Sequence, residues 1–324
     1  MLYACLNSIA RGITLALVIN IMIPPQGALA WFAFGKDNYQ KTTLPWESDD
    51  MTITFLISLQ SCYGLSSSGG FLSCEAFNRT ELYYLTGSNF TLVLQDKINP
   101  SDPDLDISRV TFNEGSNKNI IISNQETNPG LSPYSYTPVD AEVTFTINHE
   151  ALSVALPGTY RSSFSLQGAE RGGWGTYTDQ TKFIFDVDVP KRVKISGLKD
   201  ISLQSDGSGT IRSNWESFCV FAQGGEAFKL RAFGSDNSGA FILKQGDEKI
   251  NYRLRMRSTI NGNPENIEPS KTHSIYQWTG SNNQDCNGNT QNNMELRVII
   301  PSEELSNVSS GVYMDTVTVI VEPT

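Results

Sequence analysis

The segment Gly168–Tyr177, GAERGGWGTY, holds the residue types that grip a sugar. Arg171 brings a fork of charged donors, and Trp174 and Tyr177 bring aromatic faces. These three are the candidate receptor-binding residues, with a glycan as the ligand. The same ten residues also suit a glycine-rich turn whose rings pack inward, and both readings stand at this point. Tyr134 and Tyr136 form a second candidate contact, in an exposed loop over Asn128–Asp140 stiffened by three prolines. Arg253, Arg255 and Arg257 alternate with Leu254 and Met256 along one strand. Such a stripe either meets an anionic sugar or lipid or is the solvated face of an edge strand.

Catalytic chemistry has few candidates. The histidines are His149 and His273 alone. No glycine loop for phosphate, no Gly-x-Ser-x-Gly and no Cys-x-x-Cys spacing occurs, and the carboxylates are too scattered to single out a hydrolytic pair. The chain is therefore expected to be no enzyme and to need no metal or cofactor; a secreted β-sandwich glycosidase is the enzyme alternative. The formal charge of −10 is uneven. Residues 31–188 hold 9 basic against 19 acidic residues, while 189–324 hold 14 against 15. An acidic chain is a poor partner for nucleic acid, and none is expected.

The elements that must position these residues are strands. Short alternating runs separated by Gly, Pro, Asn and Asp predict an all-β protein of sandwich type, and 324 residues suit two domains. Residues 1–30 read as a secretory signal: Arg11, an apolar stretch over Gly12–Ile23, Pro24-Pro25, then the small-x-small pattern Ala28-Leu29-Ala30. Removal leaves Trp31 first, takes Cys5 away and leaves Cys62, Cys74, Cys219 and Cys286 in an oxidising compartment. Four cysteines allow three pairings, and one pair per domain favours Cys62–Cys74, closing a Gly/Ser hairpin, and Cys219–Cys286.

One pattern occurs twice. Thr146–Leu166 and the stretch from Ile299 onward align at a spacing of 153, matching Glu150 with Glu303, Leu152 with Leu305, Ser153 with Ser306, Gly158 with Gly311 and Tyr160 with Tyr313. Two copies of one domain type follow, 31–188 and 189–324, joined at Asp188-Val189-Pro190. From Tyr313 on, Val317, Val319 and Val321 share one strand face, and the sequence ends with nothing to pair along that strand's far side. Val193 and Ile195 offer the opposing wall of an apolar strip. The strip is either an open groove for an added strand or the inside of a closed sandwich.

GTYT at Gly175, a short link into VKISGLKDISL, a single cysteine in SFCVFA, SGAFILKQGDEKINYRLRM, a second cysteine and the closing GVYMDTVTVIV together resemble one family. It is the family of tip adhesins and assembly initiators of colonization-factor fimbriae (CfaE/CblD-like), and MTITFLISLQSC resembles the start of its adhesin domain. The resemblance implies two tandem immunoglobulin-like β-sandwiches, an N-terminal adhesin domain and a pilin domain lacking its final strand. It implies a periplasmic chaperone that fills the groove first, an outer-membrane usher, and a major pilin whose N-terminal segment fills it later. It further implies export to the fimbrial tip, contact with a host cell-surface glycan, and a surface arginine cluster near Arg171. Where another of those arginines is expected, this chain has Asp50. A non-adhesive minor pilin and an exported lectin-like sandwich are the alternatives.

Overall fold

Strand formation follows the alternation of apolar and polar residues. In a computed structural model, the structure describes residues 29–324 except 36–38, 42, 69–70, 75–81, 116, 132–137, 173–174, 205–208, 261 and 272–277, with backbone alone at 29–31, 62–68, 71–74, 82, 117–118, 130–131, 171–172, 175 and 177. The first strands are β1 (Leu29–Phe34), β2 (Tyr39–Gln40), β3 (Leu44–Pro45), β4 (Met51–Ser68) and β5 (Phe71–Cys74). Next come β6 (Leu82–Ser88), β7 (Thr91–Leu94), β8 (Leu105–Asp106), β9 (Arg109–Glu114), β10 (Asn117–Ile121) and β11 (Thr127–Leu131). Then follow β12 (Val139–Ile147), helix α1 (His149–Val154), β13 (Gly158–Gly172) and β14 (Gly175–Val189).

These form two facing sheets. One has the order β1-β4-β12-β9-β10 with β5 on β4; the other has β11-β6-β13-β14-β2 with β3 on β14 and β7 on β13. Along β4, Ile53, Phe55, Ile57 and Leu59 are buried while Thr52 and Leu56 are exposed, the period-2 pattern of a strand with one face inside. Phe55 and Phe145 from one sheet interlock with Phe164, Phe183 and Phe185 from the other. Ring centroids lie 5.3 Å apart for Phe55–Phe183 and 5.1 Å for Phe145–Phe164 and Phe145–Phe185. This is the core of a β-sandwich, filled by side chains from both inner faces.

After Pro190 a second core begins. Its strands are β15 (Val193–Ser196), β16 (Ile211–Arg212), β17 (Glu216–Ala222), β18 (Phe228–Phe233), β19 (Ile242–Gln245) and β20 (Glu248–Asn251). Then come β21 (Arg253–Ser258), β22 (Glu265–Ile267), the turn α2 (Cys286–Asn289), β23 (Met294–Ile300), the turn α3 (Ser302–Leu305) and β24 (Thr318–Pro323). One sheet runs β15-β17-β23-β21-β22, with β16 on β23; β18 pairs β24, and β19 pairs β20 as a hairpin. Phe218, Val220, Phe228, Leu230, Met256 and Trp278 are buried between them. Cys219 and Cys286 form a disulfide with Cα atoms 5.8 Å apart, tying α2 to β17. The side chains of Cys62 and Cys74 lie outside the described residues, but the backbone around them is a ladder, with Gly64 opposite Cys74 and Ser68 opposite Phe71.

Two expectations change. Residues 127–131 of the proline-rich stretch are strand β11 rather than loop. Pro129 fits there because β11 is an edge strand whose register shifts between Thr127 and Gly130, so its missing N–H breaks no regular ladder. Tyr134 and Tyr136 lie outside the described residues. The final strand starts at Thr318, not Tyr313, because Asp315 is drawn aside: its carboxylate accepts from Ser235 N at 2.9 Å and from Tyr252 Oη at 2.7 Å. The expected cleavage after Ala30 falls within β1, whose Leu29 and Ala30 pair with Gly64 and Tyr63; residues 1–28 lie outside the described residues.

Candidate functional site

The repeat read at a spacing of 153 is also a repeat of local structure. β12 ends at Ile147 and β23 at Ile300; α1 starts at His149 and α3 at Ser302. Ser153 Oγ donates to Glu150 O at 2.8 Å, and Ser306 Oγ to Glu303 O at 2.9 Å. Tyr160 Oη lies 3.0 Å from Leu156 O, and Tyr313 Oη lies 2.9 Å from Ser309 O. A tyrosine hydroxyl bonded back to a carbonyl just upstream is the corner that immunoglobulin-like sandwiches build where a strand enters the sheet. Burial pushes the Tyr160 phenol up to about 12.

Beyond that corner the copies diverge. In the first, β13 pairs β6 and β7 along one edge and β14 along the other. β14 itself lies between β13, antiparallel, and the short β2 and β3, parallel. Its Phe183, Phe185, Val187 and Val189 are all buried. In the second copy, β24 pairs β18, with Val321 opposite Leu230 and Val319 opposite Ala232. Among the described residues no strand pairs its other edge. β15 ends its own sheet nearby, so a second free edge runs beside the first.

The apolar side chains around this gap are only partly covered. Val193, Ile195, Val317, Val319 and Val321 all pack against the second core, and all are half-buried, as are Ile201 and Leu203. Leu230 and Ala232, directly across from Val321 and Val319, are buried. Residues on one wall of a core are thus left facing an opening, which is a sandwich missing one strand's worth of side chains.

A polar clasp fixes the approach to β24. Glu248, on the β19–β20 hairpin, accepts from Ser309 Oγ at 2.8 Å and from the Tyr313 hydroxyl. Lys244 N donates to Met314 O at 2.9 Å, and Met314 N returns a bond to Lys244 O at 3.1 Å. The Tyr313 and Ser309 bonds hold Glu248 below its ordinary 4.5, and the Glu248 bond pushes the Tyr313 phenol up to about 12. A carboxylate whose folded value is depressed stabilises fully above its unfolded value and loses that contribution as pH falls through the folded one. The segment is therefore expected to loosen below about pH 4.5 and Glu248→Gln to flatten that dependence. Hydrogen exchange at Met314 between about pH 6 and pH 3 checks this, and equal slopes for both proteins would contradict it.

The candidate receptor contacts sit at the turn joining β13 to β14. Gly172 pairs Gly175, Arg171 pairs Thr176 and Glu170 pairs Tyr177, so the strands run much closer to the tip than the sequence suggests. Trp174 and the side chains of Arg171 and Tyr177 lie outside the described residues. Sequence reasoning passed over Glu170, which is buried and accepts a hydrogen bond from Ser61 Oγ. Asp50 belongs elsewhere. Its Oδ1 accepts from His149 N at 2.7 Å at the start of α1. It precedes β4, whereas Ser61 and the hairpin lie about 30 Å along that strand at roughly 3.3 Å per residue. Asp50 therefore carries no information about a receptor at the hairpin.

Where the copies meet, Gln223 is buried and its Nε2 donates to Leu152 O at 2.8 Å, Ser153 O at 2.9 Å and Ala155 O at 3.0 Å, carbonyls at the C-terminal end of α1. Arg192 donates to Trp46 O at 2.6 Å and stacks 4.5 Å from its ring centre. Among the described residues no group of His, Cys, Asp and Glu could hold a metal, and no helix is long and apolar enough to cross a membrane.

The chain is built as two β-sandwich units, and among the described residues the second has no strand along the outer edge of β24. No family model matches it, and no curated protein does. Among solved structures it is similar to the CsuC–CsuE chaperone–tip adhesion subunit pre-assembly complex from archaic chaperone-usher Csu pili of Acinetobacter baumannii. Identity there is 13%, with 90% of this chain and 99% of that chain covered and a TM-score of 0.44. It is also similar to a chaperone–tip adhesin complex of CFA/I fimbriae biogenesis, at 11% identity, 90% and 98% coverage and a TM-score of 0.36. A third likeness is to CfaE, the adhesive subunit of CFA/I fimbria of enterotoxigenic Escherichia coli, at 13% identity, 89% and 94% coverage and a TM-score of 0.32. At identities this low, and TM-scores below 0.5, the weight falls on the chain's own geometry.

Proposed function

We propose that this chain is the tip subunit of a surface fimbria. Residues 31–188 form the adhesin domain, and residues 189–324 form a pilin domain that accepts a donated strand to start fibre assembly. The observation that carries this is the open edge of β24 facing β15, with five half-buried apolar side chains around it, where the first unit places β14. An unpaired edge over exposed core is a liability in a free protein and an acceptor when a partner supplies the strand. The first unit offers the complete copy for comparison: β14 runs antiparallel along β13, the counterpart of β24, with alternate apolar residues turned inward. A periplasmic chaperone would supply that strand first and the N-terminal segment of a major pilin later, with an outer-membrane usher handing the subunit on. The chain would then stand at the fibre tip and meet a host cell-surface glycan through Arg171, Trp174 and Tyr177.

Titrating the purified chain with a synthetic peptide of alternating Val and Thr tests the acceptor. A saturable complex that protects the β24 amides from hydrogen exchange is expected. If the β24 amides of the free chain already exchange as slowly as those of β14, the edge is closed and the proposal fails. For the adhesive half, Arg171→Ala and Trp174→Ala are each expected to lower cell binding at least tenfold while leaving peptide capture unchanged. Unaltered adhesion by both would leave the hairpin a turn and nothing more.

A further inference from the structure

The outer face of the second unit's larger sheet is crowded with arginine. β21 turns Arg253, Arg255 and Arg257 outward while Leu254 and Met256 are buried. β23 adds Arg297, which sits directly opposite Arg255, and β16 adds Arg212, which shares Ile299 as a cross-strand neighbour with Arg253. Glu295 pairs with Arg257 at 2.5 Å, and among the described residues no carboxylate pairs with the other four. Like charges directly opposite on a sheet destabilise it. Here the pair is further constrained: the Nε–H groups of Arg255 and Arg297 are buried with no hydrogen-bond partner. The guanidinium groups of Arg257 and Arg297 each lie 4.3 Å from the ring centre of Trp215, which holds both forks in place. Burial, with the charges of Arg255, Arg212 and Arg257 close by, lowers the Arg297 pKa from its ordinary value. An acidic chain thus concentrates unpaired cations on one face, at a cost that a bound anion would relieve.

We propose that this face binds a linear acidic polysaccharide, whose carboxylate or sulfate groups bridge Arg255 and Arg297. Arginine forks match a pair of oxygens on a carboxylate or sulfate two bonds at a time. Alternate residues of β21 stand about 6.6 Å apart in a row, which suits charges repeated along an extended chain. A folded protein partner would call for an apolar centre depleted of charge. A membrane surface would call for apolar side chains that enter the acyl boundary. The centre of this face is the Arg255–Arg297 pair. None of its residues belongs to the open edge of β24, so the site stands apart from strand acceptance.

The test uses the whole chain and a heparin dodecasaccharide, followed by Trp fluorescence and calorimetry over a range of salt. Saturable binding that weakens with salt is expected. The double variant Arg255→Gln/Arg297→Gln is expected to lose at least tenfold in affinity with no fall in melting temperature, because it removes a like-charge pair. Lys199→Gln/Lys249→Gln makes the same charge change at exposed positions elsewhere and is expected to bind as before; an equal loss there would reduce the effect to net charge and overturn the site. Arg255→Lys/Arg297→Lys keeps the charge and removes the forks. It too should bind several-fold more weakly, and full affinity would overturn the bidentate contact even if the glutamine pair failed to fold. Poly-glutamate or phosphatidylglycerol vesicles binding more tightly than heparin, and losing it in the same variant, would replace the polysaccharide with an acidic protein or a membrane.

Discussion

Tethering an alternating apolar strand after Thr324 through a short flexible linker is expected to raise the melting temperature of the second unit by about 10–15 °C. Completing the burial of Val193, Ile195, Val317, Val319 and Val321, together with the inward side chains of the new strand, is worth on the order of 5–10 kcal/mol before ordering costs. Ordering the strand and linker consumes much of that, leaving a few kcal/mol. In a domain of this size each kcal/mol shifts the midpoint by about 3–6 °C. The unit from Trp31 to Asp188 already holds its β14 and should melt where it did before. Calorimetry of the extended and unextended chains reads both transitions. An unchanged second transition, with the unextended chain already a stable monomer, would mean the sandwich is closed.

Val319→Asp is expected to abolish strand capture, weakening peptide binding more than about 100-fold, which corresponds to about 2.8 kcal/mol. Val319 sits opposite the buried Ala232 near the start of β24, between Val317 and Val321, and all three pack against the second core. A captured strand would seal the new carboxylate into an apolar interface with no cation to meet it, which costs several kcal/mol beyond the lost methyl groups. Val319→Ala removes the methyls without adding charge and should weaken binding far less. The two variants therefore separate a need for apolar surface from a need for an uncharged one. Capture by Val319→Asp at full strength would place the acceptor elsewhere.

What could be read from the chain in order was what neighbours in sequence decide. The all-β character, the alternation of Val317, Val319 and Val321, and the matched Glu, Leu, Ser, Gly and Tyr positions of the two copies are local properties. The 153-residue repeat therefore reappears as hydrogen bonds at Tyr160 and Tyr313. Only the tertiary structure decided which edges are left over, because pairing joins residues far apart in sequence. β24 finds β18 almost ninety residues earlier and leaves its other side beside β15. The start of that strand at Thr318 was hidden for the same reason: Asp315 is pulled away by Ser235 and Tyr252, eighty and sixty-three residues distant. Likewise three alternating arginines were visible on β21, but Arg297 and Arg212 join them through cross-strand register, a property of the sheet, and Trp215 through its ring contacts with Arg257 and Arg297. The resemblance sets Asp50 where an arginine is expected; only the structure places it just before β4, accepting from His149 N, while Ser61, further along that strand, meets Glu170 beside the β13–β14 hairpin.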